Sequence, residues 1–211
     1  MIRVLVVDDH SVVREGVKRI LADTADMCVA GEASNGQEAL AKVAAQAWNV
    51  VLLDISLPGR SGLEVLHLLK HTHPRLPVLV FSMHPGSQYA MRALKVGAAG
   101  YLTKESLPGE LVTALRKIAR GGRYVSSALT EQLLFEITRK DSAPLHERLS
   151  DREYQVLCLL ASGKTVTAVA DELALSVKTI STYRTRILAK LHLKTTAELI
   201  HYAIHHHLLI D

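Results

Sequence analysis

An apolar strand that ends in two carboxylates opens the chain, where residues 3–9 read Arg3-Val4-Leu5-Val6-Val7-Asp8-Asp9. Short β-branched runs of this kind alternate with amphipathic stretches of helical period from Ile2 to about Arg120. Such alternation is typical of strand and helix units wound around one parallel sheet. The sequence therefore predicts an α/β domain in this part of the chain.

Five strands are expected in this region: Arg3–Val7, Cys28–Ala33, Val50–Leu53, Pro77–Phe81 and Gly100–Thr103. Apolar residues at helical spacing separate them, for example between Val12 and Leu21 and between Leu63 and Leu69. Each of these helices is expected to bury one apolar stripe against the sheet.

Polar side chains follow four of these strands: Asp8 and Asp9 the first, Asp54 the third, Ser82 the fourth and Lys104 the fifth. Open parallel sheets bind ligands at the carboxyl ends of their strands, so we expect these side chains to meet. Any one of them alone has a structural explanation, such as capping the next helix. Their joint occurrence at successive strand ends favours a functional site.

Three carboxylates in one pocket repel one another unless a divalent cation joins them, and Mg²⁺ prefers such oxygen ligands. A carboxylate in that setting can attack phosphorus and form an acyl phosphate, while Mg²⁺ and a lysine neutralise the transferring group. The hydroxyl of Ser82 can donate to a phosphoryl oxygen. The sequence therefore predicts a phosphorylation site that contains a nucleophile, a metal, a lysine and a hydroxyl.

A different pattern follows Arg120. The alternation stops at Gly121-Gly122, an amphipathic stretch from Leu129 to Ile137 leads into a polar segment, and only helical periodicity occurs from Leu149 onward. That last part opens with the capping box Ser150-Asp151-Arg152-Glu153. We therefore divide the chain into a first domain at residues 1–120, a linker with one helix at 121–147, and a helical domain at 148–211.

The helical domain contains the spacing of a helix-turn-helix. A one-sided helix from Lys164 to Leu173 is followed by a brief turn, after which Ser176 can cap a helix from Val177 to Leu191. The inward stripe of this second helix is expected to be Val177, Ile180, Ile187 and Leu191. Five Lys or Arg residues and no acid lie between Lys178 and Lys194. In isolation this run would be a solvated face, but here it favours a surface that grips DNA phosphates.

The bulk properties agree with a folded protein of 211 residues, and the net charge of +4 favours anionic partners only weakly. No basic segment followed by an apolar run opens the chain, and no apolar run approaches the roughly 18 residues of a membrane span. We expect an uncleaved, soluble protein of the cytoplasm. Cys28 and Cys158 are expected to be reduced core residues, because each lies in an apolar pattern without neighbouring metal ligands.

Four motifs resemble the receiver domain of two-component response regulators: Val6-Val7-Asp8-Asp9-His10, Leu53-Asp54-Ile55-Ser56-Leu57-Pro58-Gly59, Val80-Phe81-Ser82 and Gly97-Ala98-Ala99-Gly100-Tyr101-Leu102-Thr103-Lys104. The resemblance covers about residues 1–120. It implies an α/β flavodoxin-like fold whose five-stranded parallel sheet has the order 2-1-3-4-5. It also implies the roles of the pocket residues: Asp54 as phosphoacceptor, Asp8, Asp9, Asp54 and the Ser56 carbonyl as Mg²⁺ ligands, Ser82 and Tyr101 as switch pair, and Lys104 as phosphoryl contact.

Two residues depart from the receiver pattern. Glu105 follows Lys104 where many receivers carry proline. A cis peptide bond costs more free energy before a residue other than proline. We leave open whether the Lys104–Glu105 peptide bond is cis or trans. Met83 is larger than the small residue common beside Ser82. We hypothesise that Met83 narrows access to the phosphoryl site.

The helical domain resembles the LuxR-type DNA-binding domain through Leu149-Ser150-Asp151-Arg152-Glu153, Gly163-Lys164 and Ser176-Val177-Lys178-Thr179-Ile180-Ser181. Both halves together resemble the NarL/FixJ family of response regulators, and Ser181-Thr182-Tyr183-Arg184 is similar to its GacA/UvrY-like members. The resemblance implies four helices, the third of which enters the major groove. The DNA contacts that it implies are Lys178, Ser181, Thr182, Arg184, Thr185, Arg186 and Lys190.

Short hydroxyl side chains at the base-facing positions Ser181, Thr182 and Thr185 cannot make bidentate base contacts. We therefore expect the cations to supply mainly backbone affinity, with bases read less sharply or through DNA shape. The last helix, from Thr196 to about His207, carries an apolar stripe that is either core or, as the resemblance suggests, partly a dimer face. The residues of that candidate face are Leu199, Ile200 and Ile204.

These features predict a phosphorylation-controlled transcription regulator and not an enzyme with an external substrate. Its expected partners are a histidine kinase or a small-molecule phosphodonor, double-stranded DNA, and a second copy of the chain when phosphorylated or on DNA. Phosphorylation of Asp54 would reposition Ser82 and Tyr101. This change would release the helical DNA-binding domain or cause it to dimerise.

Three other functions fit the sequence less well. An aspartyl-phosphate phosphatase would need a second Asp two residues after Asp54, where Ser56 stands. A constitutive DNA-binding regulator with a receiver used mainly for dimerisation does not explain the complete pocket. An RNA-binding protein is disfavoured because the basic helix lacks exposed aromatic residues for stacking.

Overall fold

Six parallel strands form one sheet in the order β2-β1-β3-β4-β5-β6. The protein is described by a computed structural model over residues 1–83, 87–126, 129–131, 144–206 and 208. The strands are β1 Ile2–Val7, β2 Met27–Ala33, β3 Val50–Leu53, β4 Val78–Ser82, β5 Gly100–Thr103 and β6 Tyr124–Val125. The helices are α1 Ser11–Ala22, α2 Gly36–Ala45, α3 Gly62–Thr72, α4 Ser87–Val96 and α5 Pro108–Ala119. The predicted order of the first five strands is confirmed, and β6 extends the sheet by one short strand.

Helices cover both faces of this sheet. Val4 and Val6 of β1 lie in a core cluster with residues of α1 and α5, such as Val17 and Leu111. The alternate residues Leu5 and Val7 point to the opposite face and are equally buried. A strand that is covered on both faces is apolar, which explains why Val4–Val7 of β1 form a continuous apolar run directly before Asp8.

A glycine sets the path of the loop between β3 and α3. The Gly62 N–H donates to the carbonyl of Ile55 at 2.8 Å. A Cβ at position 62 would lie 1.9 Å from the backbone oxygen of Asp54. Ser61 caps α3 in a capping box with Glu64. The start of α3 is therefore packed directly against Asp54, the residue that follows β3.

The chain turns back into the sheet after α5. Gly121 has a φ of 84°, and the N–H groups of Gly121 and Gly122 donate to the carbonyls of Ile118 and Lys117. This Schellman motif ends the helix. Tyr124 and Val125 then pair with Gly100 and Tyr101 of β5. The predicted boundary at residue 120 is therefore corrected, because the first domain continues at least to the end of β6. The predicted linker helix from Leu129 to Ile137 falls largely outside the described residues.

The chain divides into two compact units, residues 1–134 and 135–211. In the second unit a 3-10 helix, Leu145–Arg148, precedes α6 Asp151–Ala161, α7 Val166–Glu172, α8 Val177–Leu191 and α9 Thr196–His205. A Ser or Thr side chain caps the start of each α-helix: Ser150, Thr165, Ser176 and Thr195. Hydroxyl caps satisfy amide groups that a helix start leaves without partners. The predicted helical domain and its helix-turn-helix are thus present, with α7 and α8 as the two helices.

The helix-turn-helix packs mainly through residues that the periodicity predicted. Ile180, Ile187 and Leu191 of α8 are buried. Val177 is 47% exposed, so its assignment to the inward stripe was wrong. It is the first residue of α8 and precedes the turn that packs on α7.

Among the described residues, no helix has the length and apolar character needed to cross a membrane. Cys28 is half-buried, Cys158 is buried, and both are free thiols.

Arg152 joins α6 to the turn of the helix-turn-helix. Its guanidinium donates to Gln155 Oε1 at 2.6 Å and to the carbonyl of Leu173 at 3.3 Å, and the residue is 3% exposed. Leu173 is the C-cap of α7, and Ala174 after it has a positive φ of 50°. A buried arginine therefore holds the segment that sets the angle between α7 and α8.

Replacement of Gly62 by alanine is expected to destabilise the first unit by about 1–3 kcal/mol, because the new methyl group overlaps the Asp54 backbone. Urea unfolding of the full chain, followed by circular dichroism, measures the change. Gly109→Ala is the matched control, since position 109 also lies at a helix start but has nothing within 4 Å of its Cβ direction. Equal stability of the two variants would contradict the role of Gly62.

Replacement of Arg152 by alanine is expected to destabilise the second unit by about 2–3 kcal/mol, because a buried carbonyl and amide lose a charged donor. Hydrogen–deuterium exchange should become faster in peptides from α6 to α8 and stay unchanged in the first unit. Arg148→Ala removes an exposed arginine nearby and should leave exchange unchanged. Wild-type exchange rates in Arg152→Ala would refute the proposed anchoring role.

Candidate functional site

Buried carboxylates meet at the carboxyl edge of the sheet. Asp8 and Asp54 follow β1 and β3 and are 2% and 1% exposed. Side-chain ligand atoms of Asp8, Asp9, His10 and Asp54 all lie within 4.8 Å of one another. The strand ends bring them together because β1 and β3 are neighbours, and the N–H of Asp54 still donates to the carbonyl of Val7.

Lys104 lies between two of these carboxylates. Its Nζ is 2.6 Å from Asp8 Oδ2 and 2.8 Å from Asp54 Oδ2, and its side chain is 6% exposed. The Lys104 N–H donates to the carbonyl of Ser82, which fixes the residue beside the end of β4. One ammonium group thus faces two buried carboxylates and can balance only one of their negative charges.

Burial raises the pKa of the Asp54 carboxyl above its usual range, and the ammonium of Lys104 opposes this shift. For Lys104 itself, burial lowers the pKa, but the attraction of Asp54 and Asp8 outweighs it and raises the pKa above its ordinary value. The lysine therefore stays charged at neutral pH, because its two carboxylate neighbours favour the ammonium form.

Ser82 and Tyr101 form a hydroxyl pair beside the carboxylates. Both residues are fully buried, and their side chains are hydrogen-bonded to each other. Burial raises the pKa of Tyr101 far above its ordinary value, so its hydroxyl stays protonated and can donate. The predicted switch residues are thus next to each other in the described structure.

Two pocket contacts were missed at the level of sequence. His10 Nδ1 lies 2.9 Å from Asp9 Oδ1, and the side chain is 65% exposed. Arg14 Nη1 donates to the backbone carbonyl of Asp8 at 2.7 Å. The position of His10 directly after Asp9 could have indicated its contact, whereas an arginine that reaches a main-chain oxygen leaves no pattern in the sequence.

The carboxylates fit a divalent cation of the kind that prefers oxygen ligands. Asp8, Asp9 and Asp54 supply the side-chain oxygens, and two of the three are removed from solvent. The N–H of Ser56 donates to Asp54 Oδ1 at 3.2 Å, and the role of the Ser56 carbonyl as a ligand stays a prediction.

Glu105 and Met83 are the two residues that depart from the receiver pattern. All described peptide bonds are trans, including the one between Lys104 and Glu105. Met83 is 58% exposed at the end of a described segment. Its effect on access to Asp54 stays a prediction.

A second candidate site lies on α8. Lys178, Ser181, Thr182, Thr185 and Arg186 are exposed on this helix. The hydroxyls of Thr182 and Thr185 donate to the carbonyls of Lys178 and Ser181, one turn earlier. The helix therefore presents cations and short hydroxyls to solvent, as an interface with DNA requires.

Two further cations of α8 are attached to neighbouring helices. Arg184 Nε donates to Thr196 Oγ1 at 2.8 Å, and Lys190 Nζ lies 2.6 Å from Glu153 Oε2. Burial raises the pKa of Glu153, but hydrogen bonds from Lys190 and Ser150 lower it below its ordinary value. The charge of Lys190 is thus partly compensated within the domain, unlike that of the exposed Lys178 and Arg186.

The candidate dimer face on α9 needs a correction. Leu199 is fully buried in the core of the second unit, so its side chain cannot reach a partner. Ile200 is half-buried and Ile204 is 57% exposed. Leu199 therefore belongs to the core of the second unit. Of the three predicted residues, Ile200 and Ile204 remain candidates for contact with a second copy of the chain.

Comparison with known proteins matches each unit to a family. Residues 4–116 match the response regulator receiver domain, and residues 147–203 match the luxR family of bacterial regulatory proteins. Response regulator GacA of Pseudomonas protegens is 40% identical over 98% of this chain and 97% of its own length. Response regulator UvrY of Escherichia coli K12 is 37% identical over 98% of this chain and 95% of its own length.

Solved structures give the same result. The RcsB response regulator of Salmonella typhimurium has a TM-score of 0.63 at 25% identity and covers 96% of this chain and 98% of its own. An RcsB–DNA complex has a TM-score of 0.60 at 25% identity and covers 95% of this chain and 96% of its own. The receiver and LuxR-type motifs are therefore confirmed, and the chain belongs to the NarL/FixJ family of two-component response regulators, in which a receiver domain precedes a LuxR-type DNA-binding domain.

Proposed function

We propose that this protein regulates transcription and that phosphorylation of Asp54 controls its binding to DNA. One observation carries the proposal: Lys104 joins Asp8 to Asp54 beside the buried hydroxyl pair, on the same chain as a helix-turn-helix. The RcsB relative has been solved in complex with DNA, which supports double-stranded DNA as the ligand of the second domain.

The pocket residues are arranged for phosphoryl transfer onto Asp54. An oxygen of the Asp54 carboxylate attacks phosphorus, the bond from phosphorus to the donor breaks, and the donor leaves with that electron pair. The donor is a phosphohistidine of a partner kinase or a small acyl phosphate. The buried ammonium of Lys104 lies where it can exchange its contact with Asp54 for one with a phosphoryl oxygen.

Asp8, Asp9 and Asp54 would hold Mg²⁺, with the Ser56 carbonyl as a further ligand. When bound, the cation neutralises negative charge on the transferring phosphoryl group. Lys104 alone balances only one of the two buried carboxylates that it touches, so the pocket has room for additional positive charge. The protein would carry out this transfer and a slow hydrolysis on itself only, without turnover of an external substrate.

The hydroxyl pair Ser82 and Tyr101 would change its contacts in response to the phosphoryl group. A phosphoryl group on Asp54 offers acceptor oxygens to the Ser82 hydroxyl, whose present partner is Tyr101. A Ser82 hydroxyl that turns to the phosphoryl group changes the contacts of Tyr101 and of β5. We propose that this shift releases or dimerises the DNA-binding domain, which acts as a homodimer in the cytoplasm.

On DNA, α8 would enter the major groove. Ser181, Thr182 and Thr185 would face the bases, and Lys178, Arg184, Arg186 and Lys190 would contact phosphates. Ile200 and Ile204 would form the part of α9 that meets a second copy. A two-fold arrangement would place two α8 helices on successive turns of the duplex.

Treatment with acetyl phosphate and Mg²⁺ is expected to add one phosphoryl group to the wild-type chain and none to Asp54→Asn, as measured by intact mass. Asp23→Asn, which changes an exposed carboxylate of the same unit, should be phosphorylated like the wild type. DNA affinity should rise about 5–150-fold on phosphorylation of the wild type alone. Equal DNA affinity for treated wild type and Asp54→Asn would instead establish a constitutive DNA-binding regulator.

Lys178→Ala and Arg186→Ala are each expected to reduce the slope of log affinity against log salt by about 1, because each removes one phosphate contact. Lys190→Ala should reduce it less, since Glu153 already compensates its charge. Fluorescence anisotropy with a labelled mixed-sequence duplex measures these slopes. Lys117→Ala, an equal charge loss in the receiver, is the control. An unchanged slope in both Lys178→Ala and Arg186→Ala would exclude α8 as the phosphate-binding surface.

A further inference from the structure

The loop between β1 and α1 is held from outside the acidic pocket by Arg14. Its Nη1 donates to the carbonyl oxygen of Asp8 at 2.7 Å, and its Nε donates to Glu32 Oε2 at 3.1 Å. Arg14 lies in the first turn of α1, whereas Glu32 lies on β2. A single planar guanidinium, with a side chain that is 18% exposed, therefore joins the acidic loop to the neighbouring strand.

The carbonyl that Arg14 contacts belongs to the peptide group between Asp8 and Asp9. The other polar groups of Asp8 are also held, since its N–H donates to the carbonyl of Ala33 and its Oδ1 accepts from the N–H of His10. Rotation of this peptide would move the side chain of Asp9, which is 32% exposed and lies on the loop. Arg14 thus holds the peptide group that lies between the two adjacent residues Asp8 and Asp9.

The anchor of Arg14 is itself held in place. Lys18 Nζ lies 2.6 Å from Glu32 Oε1, while Arg14 occupies the other oxygen. Hydrogen bonds from Lys18 and Arg14 outweigh burial and lower the pKa of Glu32 below its usual range. Glu32 therefore remains a charged acceptor at neutral pH and keeps the guanidinium in one orientation.

We propose that Arg14 is a positioning residue for the Mg²⁺ site and that it acts by fixing the Asp8–Asp9 peptide. The inference rests on the proposed function, because it takes the acidic pocket to bind Mg²⁺. Arg14 would act through the main-chain oxygen of Asp8, which it contacts, and not through the cation or the phosphoryl group. Partners that orient metal ligands typically change metal affinity about 10–100-fold when they are removed.

Charge and positioning predict opposite effects for the removal of Arg14. A cation close to the pocket repels Mg²⁺, so the loss of its charge alone would tighten Mg²⁺ binding. Loss of the peptide anchor would weaken Mg²⁺ binding, because Asp8 and Asp9 must then be ordered when the ion binds. The sign of the change therefore separates a positioning role from a purely electrostatic one.

Isothermal titration of the full chain with MgCl₂, without a phosphodonor, tests the proposal. Arg14→Met is expected to raise the Kd for Mg²⁺ about tenfold or more. Arg14→Lys keeps the charge but cannot make both contacts, so it should raise the Kd by a smaller factor. Arg19→Met, which removes an exposed arginine of the same helix, should bind Mg²⁺ like the wild type. In Arg14→Met, the phosphorylation rate at saturating Mg²⁺ should change much less than the Mg²⁺ concentration that gives half of that rate.

An unchanged or lower Kd in Arg14→Met would overturn the positioning role while leaving the proposed function intact. A wild-type chain that binds no Mg²⁺ would overturn the metal-dependent function itself, and this inference with it. If circular dichroism shows that Arg14→Met is unfolded, Arg14→Lys decides the question, and a wild-type Kd in that variant counts against the proposal.

Discussion

The ammonium of Lys104 contacts two carboxylates that the fold has removed from water, and the first domain is organised around this contact. Buried charges of like sign are costly, and a single lysine cannot neutralise two of them. The pocket therefore carries an excess of negative charge in its resting form. Residues of three different strand ends must keep their places for this arrangement to persist, and neighbouring positions hold the main chain there. Gly62, against the Asp54 backbone, and Arg14, against that of Asp8, are two such positions.

Ser82 connects Lys104 of the pocket to the neighbouring residue Tyr101. Ser82 accepts the Lys104 N–H through its backbone carbonyl and bonds to Tyr101 through its hydroxyl. Ser82 therefore contacts both the lysine of the pocket and the buried tyrosine of β5. The DNA-binding domain contains a comparable contact, because the ion pair of Lys190 and Glu153 joins α8 to the capping box of α6. In both units an ion pair holds a functional element against the scaffold.

Much of this structure could be predicted from the sequence, since strand ends and helical periods are local patterns. The positions of Asp8, Asp54 and Lys104 followed from the apolar runs before them, and the caps Ser150 and Ser176 from short motifs. Long-range contacts left no such pattern. β6 has only two residues, the contact of Arg14 is with a main-chain oxygen, and Val177 and Leu199 depend on how whole helices pack. Periodicity identifies an apolar stripe but does not decide which of its residues a neighbouring helix covers.

The short strand β6 has a consequence for how the domain ends. It runs parallel to β5, so the chain leaves the sheet towards the edge that carries Asp54. Its last residue, Val125, is the direct backbone neighbour of Tyr101. Tyr124 and Val125 are therefore held by backbone pairing to the strand that contains Tyr101. A displacement of β5 would therefore move Val125 through the main chain, without the help of any side-chain contact.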